Sequence, residues 1–254
     1  MYVSNIFLFF CVGLFLVKSP LFILHFWLPK VHVEAPTVGR ILLAGLLLKV
    51  GIFGLIKILI IIKIIYFWFY FLSLLGMFLG SFFAIFSRDS KVLAAYSSIS
   101  HINLVIYGLS LFSLFRNSRS LIISVSHGYV SSMIFCFIGY VYLNNNNRLV
   151  YYSNGLFFFV WLSVLFSIII IANCGLPLNI SFFGELFILS VLLNWGYFVI
   201  FFVFLYFVYS FYYSIYFMLH NNKPGINLYI NIFFLCLIFF SLFYFLNFFL
   251  FLFY

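Results

Sequence analysis

The chain has 254 residues, 68% of them hydrophobic and 6% charged, with twelve Lys or Arg against three Asp or Glu and a net charge of +9. Ordinary soluble domains are about 45–50% apolar and about 25% charged. The composition therefore excludes a soluble enzyme, a nucleic-acid binder and a disordered chain, and leaves an integral membrane protein.

The basic residues fall singly or in pairs between apolar runs, so they read as loop topology and not as a nucleic-acid footprint. Phe occurs 42 times and Tyr 19 times, a skew that matches A/T-rich codons and hints at an organellar genome. Cys11, Cys136, Cys174 and Cys236 stand far apart in apolar stretches. They have no metal-ligand spacing and make no disulfide framework. No metal site, haem or cluster is expected in the chain. The apolar run 6–17 has no basic region before it, so it reads as a mature span and not as a signal peptide.

A bilayer core about 30 Å thick takes roughly 20 apolar residues per helix. Polar and turn-forming interruptions cut the chain into about eight such spans. They are 3–25, 41–62, 67–86, 92–112, 121–143, 156–193, 197–219 and 228–252. The first is interrupted at Lys18-Ser19-Pro20. The sixth is too long for one helix and is broken at Cys174-Gly175-Leu176-Pro177. The fold class is all-α, a polytopic transmembrane bundle in one domain. Within it, 3–62 pairs a broken helix with a lysine helix, 67–219 forms a five-span unit and 228–252 is a final helix.

The loops are short, and Asn144–Asn147 reads as a solvated turn. Alternate loops place Lys30, Arg40, Arg88, Lys91, Arg148 and Lys223 on one side and Lys57, Lys63, Arg116 and Arg119 on the other. The positive-inside rule puts the first set on the inner side.

Five ionisable residues lie inside apolar runs: Lys18, Lys49, His101, His127 and Glu185. A lysine or acid at mid-membrane costs at least about 2.5–3.5 kcal/mol on insertion scales, so each faces a partner or a wet cavity. Plainer roles exist for each. Lys18, like Lys57 and Lys63, snorkels to an interface. A lone histidine makes one interhelical hydrogen bond, and Glu185 caps amides freed by the nearby break. Taken together, two lysines, two histidines and one acid form a set that suits a proton relay. The breaks support this, because non-helical backbone at such depth occurs inside protein or beside water. Pro20 and Pro177 each remove a backbone donor, and each break lies near one of the five residues. A broken helix followed by a continuous one occurs twice, at the first and sixth spans, as an inverted repeat with one incomplete copy would give.

The stretch Pro20-Leu21-Phe22-Ile23-Leu24-His25-Phe26-Trp27-Leu28-Pro29-Lys30-Val31-His32-Val33-Glu34-Ala35-Pro36-Thr37 resembles the proton-pumping antiporter-like subunits of respiratory complex I. Trp27, Pro29, His32, Glu34 and Pro36 carry that motif. Leu42 through Lys49 is similar to the family's lysine helix, and Ala94 through His101 to its histidine helix. Asp89-Ser90-Lys91, His127-Gly128, Gly175-Leu176-Pro177 and Phe183-Gly184-Glu185 follow in the family's order. From Asn194 onward the chain fits by hydropathy alone.

The resemblance implies an antiporter-like fold that lacks its first half. It implies Lys18 as a lysine coupled to an acid and Lys49 as the central lysine. His101 and His127 would be relay histidines, and Glu185 the terminal exchanger. It implies no redox cofactor here, with NADH, FMN, iron–sulfur clusters and ubiquinone held by partner subunits. The partners are then other membrane-arm subunits and lipids of the mitochondrial inner membrane. The acid expected opposite Lys18 belongs to the absent half. Either another chain supplies those helices, or the subunit is reduced, or the sequence is a fragment. A cation/proton antiporter subunit and a non-pumping membrane-arm subunit are the competing functions.

Overall fold

Runs of apolar residues at span length become helices packed side by side. The computed structural model describes residues 2–61, 66–111, 116–145, 149–150, 160–175, 179–192 and 197–221. These form α1 (Tyr2–Lys18), a 3-10 turn (Phe22–Leu24), α2 (Trp27–Glu34) and α3 (Thr37–Leu42). A π-helical segment (Leu43–Leu47) then leads into α4 (Leu48–Ile61). Next come α5 (Tyr66–Phe86), α6 (Ser90–Ser110) and α7 (Arg116–Asn145). The last are α8 (Val160–Asn173), α9 (Ile180–Leu192) and α10 (Tyr197–Asn221). Among the described residues, five continuous stretches are long and apolar enough to cross a membrane: Thr37–Ile58, Phe69–Phe86, Ser90–Ser110, Asn117–Leu143 and Phe198–Leu219. The expected span 228–252 and Pro177 lie outside the described residues.

Both expected breaks are present. Pro20 has no N–H, and α1 ends as Ser19 N donates to Phe15 O at 2.8 Å. The carbonyls freed there find donors from elsewhere. Trp27 Nε1 donates to Val17 O at 3.1 Å, and Asn103 Nδ2 of α6 donates to Pro20 O at 3.4 Å. A second break separates α8, of 14 residues, from α9, of 13. Within the described residues each is an apolar helix shorter than a bilayer span.

Several residues expected in loops are helical. The Trp27-to-Glu34 motif is α2, with Pro29 in its first turn, where a missing N–H costs nothing. Arg40 lies in α3 and is buried, and its Nε donates to Ala35 O at 2.8 Å. It thereby satisfies a carbonyl left over at the end of α2. Lys91 is buried in the first turn of α6, 4.2 Å from the Tyr142 ring centre. Arg119 is buried in α7, 5.7 Å from the Phe187 ring centre. Neither is the solvated loop charge that side-counting assumes, and α7 continues through Asn145, so the asparagine run starts as helix. The second span is not a plain α-helix either, because the π segment interrupts it. The expected repeat of broken and continuous helices is weaker for that reason.

The centre of the bundle is α6, which packs on α5, α7 and α2. Its buried face is rich in small residues, among them Ala94, Ala95, Ser97, Ser98 and Ser100. Small residues let helix backbones approach closely in membranes. α5 answers with Gly76 and Gly80, four apart on one face. A Cβ at Gly80 would sit 3.3 Å from Ser100, and one at Gly76 would overlap the Asn103 side chain at 2.6 Å. Gly76→Leu is expected to push α5 off α6 and to lower stability by about 1–3 kcal/mol, as overpacking does. Thermal unfolding in detergent measures this, and an unshifted melt would refute the close contact.

Two apolar clusters fill the bundle. One gathers Leu48, Ile52, Met77, Ile102, Ile123 and Val203, and the other Ala44, Leu93, Val130, Phe137, Phe166 and Phe217. The chain passes from one cluster to the other between Ala44 of the π segment and Leu48 of α4, between Ile123 and Val130 of α7, and between Tyr206 and Tyr213 of α10, close to Lys49 and His127. Lys49, His127 and Tyr206 therefore stand at the seam where the two clusters meet along these helices.

Candidate functional site

Lys49 begins the seam. It follows the π segment, whose wider turn is a frequent feature of functional helices. It is 5% exposed, and its Nζ donates to the Ala44 carbonyl of that segment. The stem lies across α7 at Gly128, where a Cβ would stand 3.1 Å from Lys49 Cε and 3.5 Å from Gly45 O. Glycine at 128 thus gives the lysine a seat next to His127. A cleft of about 370 Å³ flanks it, lined by Gly45, Leu46, Phe53, Val125, Gly128 and Ser132 among others.

His127 and His101 continue the line. Both are buried, with ring centroids 5.0 Å apart and planes at 28°. Among the described residues the His127 Nε2 is buried without a hydrogen bond, and the His101 imidazole also interacts with the Asn173 backbone. A neutral imidazole holds one donor and one acceptor nitrogen, so each ring has the chemistry to take a proton on one nitrogen and give one from the other. Lys49 lies within electrostatic reach of both rings. On the other side, His101 Nδ1 is 3.1 Å from the Tyr206 hydroxyl of α10.

Glu185 closes the set from α9. It is 3% exposed and lies against the break after α8. Gly175 has φ +68, in the left-handed region that favours glycine. A Cβ there would run into the Glu185 carboxylate. The break therefore needs glycine for its backbone and again for the acid beside it. A cleft of about 440 Å³ opens here, lined by Cys174, Gly175, Phe182, Glu185, Leu189 and Phe207 among others. Cys174 Sγ lies 2.7 Å from Ser214 Oγ, which ties the break to α10.

Lys18 stands apart from these four. It is exposed at the end of α1, 5.8 Å from the Phe15 ring centre. Its Cβ faces Gly51, where an added Cβ would approach to 3.1 Å. Gly51 is two residues past Lys49, about 200° around a helix of 3.6 residues per turn. Lys18 and Lys49 thus lie on opposite sides of α4.

The motif residues serve the frame. Trp27 caps α1, and Pro36 precedes α3 with extended backbone. His32 is fully buried and stacks on Phe135 at 4.5 Å, within electrostatic reach of Arg40 and Lys49.

Sequence reasoning missed Asn103, Tyr206 and the π segment. An asparagine inside an apolar span was a usable signal for the first. Nothing marks Tyr206 among 19 tyrosines.

Residues 1–212 match a family model described as NADH:quinone oxidoreductase/Mrp antiporter, transmembrane. The chain belongs to this family. Two relatives are each called NADH-ubiquinone oxidoreductase chain 4. The one from Caenorhabditis elegans is 38% identical over 202 residues, covering 77% of this chain and 49% of the relative. The one from Ascaris suum is 39% identical over 197 residues, covering 74% and 48%. The chain spans about half the length of the curated relatives it matches.

Two solved structures share the antiporter-like fold. One belongs to respiratory complex I from Thermus thermophilus with bound NADH. It has a TM-score of 0.83 and 23% identity, over 93% of this chain and 52% of that one. The other belongs to the membrane-bound sulfane sulfur reductase, an archaeal respiratory membrane complex, with a TM-score of 0.83 and 21% identity, over 92% and 50%. This member of the antiporter family is a multi-pass membrane protein.

Proposed function

We propose that this chain is a proton-translocating membrane-arm subunit of a mitochondrial NADH:ubiquinone oxidoreductase in the inner membrane. The observation that carries the reading is the buried run of Lys49, His127 and His101 inside a chain of the antiporter family. Burying a lysine in a bilayer is costly, and that cost is tolerated where the group works. The chain holds no redox cofactor of its own. NADH, FMN, iron–sulfur clusters and ubiquinone belong to other subunits, and electron transfer there drives proton movement here.

Lys18, Lys49, His127, His101 and Glu185 form the proton path, with Lys18 set off from the rest. Its acidic partner comes from helices that cover the exposed apolar face of α1 at Phe10, Leu14 and Val17. Those helices sit on a longer form of this chain or on a neighbouring one.

Native gel electrophoresis of the source membranes tests the assignment. The chain is expected to comigrate with a large NADH-oxidising assembly. Migration apart from NADH oxidation, with sodium-dependent transport that needs no NADH, would establish an antiporter subunit instead.

A further inference from the structure

The cleft beside Lys49 is larger than a proton needs. It measures about 370 Å³ and lies between the lysine helix and α7. Small-ligand sites begin at about 300 Å³ and are mostly apolar with a few polar groups. Two glycines open it. A Cβ at Gly45 would stand 3.9 Å from Ser132 Cβ, and one at Gly128 would stand 3.1 Å from Lys49 Cε. The mouth is Leu46 of the π segment, Val50 and Phe53 of α4 and Val125 of α7, all exposed and all apolar. Such a mouth opens sideways, toward acyl chains. Lys49 is the charged group in the wall and is 5% exposed. Among the described residues its Nζ donates to the Ala44 carbonyl, and no acid pairs with it. An ammonium has three donors. His32, His101 and His127 lie within its electrostatic reach, and all are bases. The wall thus presents a cation to an apolar cleft and supplies no anion for it.

We propose that this cleft binds a single-chain carboxylic acid from the lipid phase, with its acyl chain along Leu46, Val50 and Phe53 and its carboxylate on Lys49. Depth selects this class. Within the stretch Thr37–Ile58, Lys49 is twelve residues from one end and nine from the other. Those separations are about 18 Å and about 14 Å at the helical rise. The hydrocarbon core is about 30 Å thick, so the amine lies near its middle. A phospholipid's phosphate stays at the interface and does not reach that depth. A free carboxylic acid reaches it uncharged. The uncharged amine that a proton path passes through then takes the acid's proton. The acid's O–H bond breaks and an N–H bond forms, which leaves carboxylate against ammonium with no electron transferred. Charge-assisted hydrogen bonds of this kind are short and strong. Binding stands on the cleft and the lysine. Its effect, slowed translocation because the paired ammonium keeps its proton, rests on the proton-path reading above.

The test uses the intact respiratory assembly in sealed vesicles and palmitic acid carrying a photoreactive diazirine in its chain. Illumination is expected to label Leu46, Phe53 or Val125, located by mass spectrometry. The methyl ester of the same probe keeps the chain and loses the charge. It is expected to label these residues about tenfold less, the scale of one charge-assisted hydrogen bond. Equal labelling by acid and ester overturns the proposal, because it reports ordinary lipid contact. No labelling by either overturns it too, and shows that another helix covers this face. Lys49→Met keeps an unbranched side chain and is expected to bring the acid down to the ester's level. Full labelling by the acid in that variant overturns the assignment of the carboxylate to Lys49. The comparison of acid with ester needs no variant, so it decides even if Lys49→Met does not assemble. Labelling is read without pumping. Acids also carry protons through bare lipid, so slowed NADH-driven acidification is read against Gly45→Leu, whose side chain fills the cleft. Selective labelling with equal slowing in both proteins keeps the binding site and overturns its effect on translocation.

Discussion

Lys49→Ala is expected to cut NADH-driven proton translocation by about a hundredfold, the scale of losing one general acid or base. The assembly is expected to survive. A buried lysine is itself a burden of about 2.5–3.5 kcal/mol on insertion scales, and its removal leaves a methyl group between Gly128 and the π segment. Lys49→Arg sharpens the test. Arginine keeps the positive charge but does not release a proton under physiological conditions. If Lys49 only supplies charge to the two histidines, Arg preserves translocation. If Lys49 carries the proton, Arg fails as Ala does. Native gels confirm assembly and acidification in vesicles gives the rate. Normal acidification in Lys49→Ala would remove this residue from the path.

Glu185→Gln is expected to stop proton release while leaving the helix break intact. Glutamine matches glutamate in shape and hydrogen-bonding reach but does not titrate, so the loss reports proton exchange and not packing. Gly175→Ala approaches the same point from the backbone. A left-handed residue with a Cβ costs about 1–2 kcal/mol, and this Cβ also lands on the carboxylate. The acid must move, and translocation is expected to fall partway. Vesicle acidification ranks the two variants. A Gln variant that pumps at the normal rate would show that protons bypass Glu185.

Much of the fold was legible because hydropathy and helix breakers are local properties. Pro20 lacks a donor wherever it sits, so the break after Lys18 follows from one residue. Gly175 marks the second break through its left-handed backbone, which is also a local property. Arg40, Lys91 and Arg119 were misread for a related reason. Near a span end, a charge count does not separate a solvated loop from a first helical turn. Arg40 is held by the carbonyl of Ala35, and Lys91 and Arg119 lie over aromatic rings. Those contacts depend on how neighbouring helices stack.

The sequence by itself determined that this chain lives in a membrane. It also determined where the spans break and which five ionisable groups fall inside them. Only the tertiary structure decided how those groups are arranged. Lys49, His127 and His101 share a seam, Lys18 faces away across α4, and Tyr206 enters from a helix that hydropathy alone had described. The reason lies in the geometry of helices. Hydropathy along the chain sets which segment enters the bilayer. The rotation of each helix about its axis is set by close contacts with its neighbours, such as Gly128 against Lys49 and Gly76 against Asn103. Twelve bases and three acids in 254 residues made each buried charge conspicuous, but packing chose which of them meet.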